Sequence, residues 1–222
     1  MKIDVKGPII SNEDAWIYDY FGLDYCCPKK ICEAVEKANG EELDVYINSS
    51  GGSIFDGSEI YETFRSYAGR VKIHVTGLAA SAASVIACAA PSDIAPTAMF
   101  MIHNVSSGTC GDYHAHDKES KILQSANKAI SAAYQEKTKK SESELLKLMD
   151  KETWLTAQEA VEQGFIDTIS TPKVQLTAQA SSEMIPQAVI DRLRNQLKPP
   201  GSSLEAKIKA KLNLLKMEER KV

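Results

Sequence analysis

The stretch that most constrains the fold is Thr76–Ala90, TGLAASAASVIACAA. It follows Val71-Lys72-Ile73-His74-Val75, whose apolar residues alternate at the period of two that a strand needs. Gly77 then allows a backbone geometry that a Cβ would resist. From Ala79 the residues are nearly all Ala, Ser, Cys and small aliphatics, so neighbours can pack closely on the helix expected there. Ser81 falls at the strand-to-helix junction, where unpaired N–H groups and the positive end of the helix dipole point outward. A nucleophile that forms a transient oxyanion needs that setting. It parallels the nucleophile elbow, although the G-x-S-x-G sequence is absent. On this run alone a small-residue core helix with one buried serine is the favoured reading, since fold features outnumber sites.

The flanking sequence supplies the layers around it. Lys2–Ile10 reads as a first strand, and Ser11-Asn12-Glu13-Asp14 as a helix start with acids in its first turn. Pro28 opens a helix over Lys29–Ala38, closed by Asn39-Gly40. Leu43–Ile47 is a buried-type strand running into Asn48-Ser49-Ser50-Gly51-Gly52, where paired glycines let backbone amides face a ligand. A phosphate loop competes there, but neither a Lys-Ser/Thr ending nor G-x-G-x-x-G is present. Ile54–Tyr67 carries a helical stripe at 60, 61, 64 and 67. Short strands follow at Ile94–Ala95 and Ala98–Ile102, then a loop over 104–117 and an amphipathic helix over Lys118–Lys139. Capping boxes at Ser141 and Thr156 open two more helices, and Ile166–Ile169 closes the set. Strands alternating with helices argue an α/β domain with a largely parallel sheet.

Beyond Thr171-Pro172 the pattern weakens. The domain is therefore expected over 1–170, a linker over 171–185 and a helical extension over 186–222. One stripe there is Ile185, Val189, Leu193 and Leu197; another is Leu204, Ile208, Leu212 and Leu215. Helices so short need a surface to cover them. The net charge of −4, with no basic stripe in the main body, gives no support for a nucleic-acid partner. No apolar run is long enough to span a bilayer. MKIDVKGPII lacks the apolar core of a signal peptide, and the 5 cysteines show no framework spacing. Reduced thiols in a cytoplasm are expected. Cys110, His114 and His116 form a weak metal motif, more simply read as a polar loop.

The pieces assemble as acyl-transfer machinery. Ser81 would attack a carbonyl, and His103, at the end of a strand, would take its proton. Asp150 or Glu152 would orient the imidazole, and the N–H groups of Gly52 and Ala82 would form the oxyanion hole. The order Ser…His…acid is acceptable because a triad is defined by geometry.

Asn48-Ser-Ser-Gly-Gly52, Gly77-Leu-Ala-Ala-Ser81, Met101-Ile-His103 and Ala157-Gln-Glu-Ala160 with Gly164-Phe-Ile-Asp167 resemble the signature stretches of the ClpP-type serine proteases. The resemblance covers roughly residues 8–170, with several independent stretches in order. Glu152-Thr-Trp154 and the extension after Asp167 most resemble the shorter ClpP-like proteases of tailed phages and prophages, which act in head maturation. The resemblance implies a crotonase-like fold of repeated β-β-α units, stacked homo-oligomeric rings and catalytic sites facing an enclosed chamber. It carries the nucleophile to Ser81, the base to His103 and the oxyanion hole to Gly52 and Ala82. The acid falls on Glu152, where housekeeping members carry Asp, and Ser50 replaces their proline. It implies peptide or protein substrates, capsid or scaffold proteins among them, and no cofactor or metal. With no Walker motif here, ATP use would belong to an unfoldase partner. A silent shell component, or another acyl-transfer enzyme of the same fold, remains the alternative.

Overall fold

β1 (Lys2–Lys6) alternates exposed and buried residues, so Ile3 and Val5 reach the core while Lys2, Asp4 and Lys6 meet water. The structure is a computed structural model and describes residues 1–171. The expected linker beyond Thr171 and the helical extension over 186–222 lie outside the described residues.

β1 pairs in parallel with β2 (Leu43–Ser49), β2 with β3 (Val71–Ala80), β3 with β4 (Ser92–Ile94) and β4 with β7 (Thr168–Ile169). β5 (Met99–Ile102) runs parallel to the far end of β3, and β6 (Thr153–Thr156) lies antiparallel to β5. The sheet is thus largely parallel, as the alternating elements predict. Helices fill the connections: α1 (Ala15–Phe21), α2 (Pro28–Ala38), α3 (Ile54–Arg65), α4 (Ala82–Ala87), α5 (Tyr113–Thr138), α6 (Glu142–Asp150) and α7 (Ala157–Glu162). α3 packs against α2 and α4, and α5 against α6. Ile60 and Phe64 of α3 join Val45, Ile73 and Ile86 in one core cluster.

Several boundaries differ from the sequence expectation. β1 ends at Lys6, not Ile10, because Pro8 has no N–H to offer a ladder; its carbonyl instead accepts from Cys26 N–H at 2.9 Å. β3 runs on to Ala80, so the helix begins at Ala82 and not at Ala79. The partner strand decides this: Leu78, Ala79 and Ala80 pair with Met99, Phe100 and Met101. Between the pairs Ile47↔Val75 and Ser49↔Ala79, β3 carries two more residues than β2, and this bulge re-aims the strand end. α5 starts at Tyr113, five residues before the expected Lys118, because Asp112 caps it by accepting from Ala115 N–H. His114 and His116 therefore sit in a helical turn. Among the described residues no group of His, Cys, Asp or Glu is arranged to hold a metal ion.

Alternate residues of β2 and β3 turn to the other face of the sheet, which is polar. His74 Nδ1 lies 2.9 Å from both Asp93 oxygens and Nε2 3.1 Å from Asp44 Oδ1, with the ring stacked on Tyr46. His74 is thereby held in a hydrogen-bond network away from the Ser81 end of β3. No helix among the described residues is long and apolar enough to cross a membrane.

Candidate active site

Ser81 joins β3 to α4 with φ 55 and ψ −126. A residue with a Cβ avoids that region, at a cost of about 1–3 kcal/mol, and holds it only when the surroundings over-determine it. Three contacts do so here. Ser81 N–H donates to Met101 O at 3.0 Å, tying the junction to β5. Ser84 donates both its N–H (2.9 Å) and its hydroxyl (2.6 Å) back to Ser81 O. Gly51 presses against the turn so closely that a Cβ on it would meet Ala80 O at 2.6 Å and Ser81 Cβ at 2.7 Å.

His103 follows β5 directly, and its Nε2 lies 2.8 Å from Ser81 Oγ. The two residues expected to act together are within hydrogen-bond reach, 22 positions apart in the chain. Both border a cleft of about 270 Å³, shared with Gly52, Asn104, Ile130 and Phe55. Phe55 is 77% exposed and stands at its edge as an apolar wall.

Gly52 faces the cleft for a reason legible in its neighbours. Ile9 N–H donates to Gly51 O at 2.9 Å, and Ser53 N–H donates to Ile9 O at 2.8 Å. Those bonds bracket Gly52, and the alternation of a ladder then turns its own N–H to the opposite side. With φ 148 and a virtual Cβ 2.1 Å from Ile9 O, only glycine fits. Ala82 is the first residue of α4, so its N–H has no intrahelical partner.

The acids are less simple. In the β5–β6 ladder Met101 pairs with Trp154 and Ile102 with Thr153, and His103 and Glu152 are the residues next beyond that last pair. Glu152 has φ 49, and its Oε1 accepts from Trp154 Nε1–H at 3.1 Å. Asp150, at the end of α6, accepts from Asn104 Nδ2 at 2.9 Å. Neither carboxylate hydrogen-bonds His103. Ser81 and His103 are brought together with Gly52 and Ala82 beside them, and both candidate acids are bonded elsewhere.

The model of the Clp protease family matches residues 29–173. The chain belongs to the Clp protease family. Among its relatives, the ATP-dependent Clp protease proteolytic subunit 2 of Tropheryma whipplei is 30% identical over 77% of this chain and 97% of its own length. Proteolytic subunit 1 of Chlamydia muridarum is 34% identical over 64% and 80%. Proteolytic subunit 3 of Rhizobium etli is 26% identical over 72% and 86%. A mutant of ClpP1 from Listeria monocytogenes superposes with a TM-score of 0.63 at 22% identity, covering 78% of this chain and 92% of that one. That likeness bears on the fold, which is the ClpP-type mixed α/β fold. The chain is thus a ClpP-type serine peptidase.

Two contacts of this Clp-family site escaped the sequence reading. Tyr134 of α5 is buried, and its hydroxyl meets Ser84 Oγ at 2.7 Å. Ser84 has one hydroxyl proton, already donated to Ser81 O, so Tyr134 is the donor in that pair. Burial pushes the Tyr134 phenol well above its usual range, consistent with a protonated donor. The long helix is thereby tethered to the Ser81 turn. The other contact is Asn104, whose Oδ1 is buried without a partner while its Nδ2 holds Asp150. Its place directly after His103 was the available signal.

Proposed function

We propose that this chain is an endopeptidase whose nucleophile is Ser81, with His103 as base and Glu152 as the acid that orients it. The observation that carries the reading is the 2.8 Å approach of His103 Nε2 to Ser81 Oγ on a strained strand-to-helix turn. Ser81 Oγ attacks the scissile carbonyl as its proton passes to Nε2. The N–H groups of Gly52 and Ala82 then receive the oxyanion. His103 returns the proton to the leaving amine, and water, deprotonated by the same nitrogen, releases the acyl group from Ser81. Proteins would be cut inside an enclosed chamber formed by rings of this chain. Any ATP-driven unfolding would come from a partner.

The substrate reading rests on the Glu152-Thr-Trp154 run and the extension beyond Asp167, which resemble the phage and prophage branch. Capsid or scaffold proteins in a bacterial cytoplasm are the proposed substrates. Co-expression with such precursors should yield discrete products with the native chain and none with Ser81→Ala. An active-site-directed fluorophosphonate should label Ser81. Losing Ser81 or His103 should lower peptide hydrolysis by roughly 10⁶. A second reading, a silent shell component, draws on the bond from Glu152 to Trp154 in place of His103. Absence of labelling in the assembled protein would select it.

A further inference from the structure

We propose that Trp154 is a positioning residue for Glu152: its indole N–H decides whether that carboxylate sits on the indole or on His103. The inference rests on the assignment of Glu152 as the orienting acid. Three observations converge on it. The β5–β6 ladder ends at the pair Ile102↔Thr153, which leaves His103 and Glu152 as the residues next beyond it on the two strands. The Glu152 carboxylate is nevertheless spent on Trp154 Nε1–H, at 3.1 Å. Glu152 also sits at φ 49, a conformation disfavoured for a side chain with a Cβ, so its direction is imposed by its surroundings.

Trp154 suits such a holding role. It is 45% exposed at the edge strand of the sheet, so its ring is not there to fill the core. The donated bond is charge-assisted, because Glu152 is a carboxylate, and is stronger than a neutral one. While it lasts, the His103 ring lacks the acid that fixes its tautomer. Release of the indole frees the carboxylate to cross the ladder and accept from His103 Nδ1–H. Asp150 does not take its place, being held by Asn104.

Trp154→Phe keeps the ring and deletes the donor. The probe is a fluorophosphonate applied to the full-length assembled protein, with kinact and KI measured separately and melting temperature as a check on folding. The expected result is a rise in kinact of roughly ten- to a hundredfold, the equilibrium worth of one charge-assisted hydrogen bond, with KI unchanged. The gain should vanish in Trp154→Phe combined with Glu152→Gln, which a merely structural tryptophan would not require. Native protein labelled at the same rate as Trp154→Phe would overturn the holding role and leave the serine peptidase reading standing. A fall in kinact like that of Glu152→Gln would mean that the indole supports the acid, and would overturn it too. A change confined to KI would make Trp154 a substrate contact. No labelling of either protein would overturn the assignment of the triad beneath it.

Discussion

Ser81 and Glu152 both hold positive φ, and the positions are not alike in their support. Ser81 is braced by β5, by Ser84 and by the close approach of Gly51, so its hydroxyl is aimed before any substrate arrives. Glu152 is held by fewer contacts: its N–H donates to Met149 O at 3.1 Å, and its carboxylate accepts from an exposed indole. Loss of an orienting acid costs on the order of 10⁴ in kcat through the wrong imidazole tautomer. Glu152→Gln is therefore expected to lose activity on that scale, and Asp150→Asn to stay within a few-fold, both read as peptide hydrolysis. The opposite ranking would make Asp150 the acid. At the same scale, burial pushes the Cys26 and Cys88 thiols up to about 12, whereas Cys110 is exposed. Iodoacetamide at neutral pH should modify Cys110 in the folded protein and leave Cys26 and Cys88 intact, since the thiolate is the reactive form. Mass spectrometry of the alkylated peptides checks this.

Among the elements, α4 depends most on its neighbours. It spans only Ala82–Ala87, every residue of it is buried, and a six-residue helix has no stability of its own. Small side chains let α3 approach it, with Gly57 close to Ala82. Its one polar side chain, Ser84, is satisfied by Ser81 O and Tyr134. Ser84→Ala strands the Tyr134 O–H in the core, which costs about 1–3 kcal/mol. A fall of several degrees in melting temperature is expected, together with reduced activity because the Ser81 turn loses a brace. Tyr134→Phe removes the donor itself and leaves Ser84 bonded to Ser81 O, so its loss should be the smaller. Thermal unfolding of the two variants, side by side, measures the difference.

For the whole molecule, the described core is closed by contacts of residues 167–170. Asp167 accepts from Ser92 N–H at 2.7 Å and pairs with Lys137, and Ser170 N–H donates to Ile94 O at 2.8 Å. Truncation after Ser170 keeps each of these bonds. The shortened chain is expected to fold and to sediment as an assembly of the same subunit number. A monomer, or loss of soluble protein, would show that residues beyond 170 are needed for association.

Much of this was written locally. Period-two alternation in Val71–Val75 and the boxes Ser141…Glu144 and Thr156…Glu159 report short-range steric and hydrogen-bond preferences, and the structure has those elements with both boxes formed. The pairing of Ser81 with His103 was legible as well, because each stands at the end of a strand in a sheet whose strand ends share one edge. The extent of β3 was not. Gly77-Leu-Ala-Ala has helical and small-residue character, and only β5 lying alongside makes it strand. The donor that holds the Glu152 carboxylate also had no local signature. Two acids two residues apart look alike in a sequence, whereas a ladder register and an indole N–H in reach separate them in space. Local preference set the elements, and long-range pairing decided where strands end and which way side chains at their ends are turned.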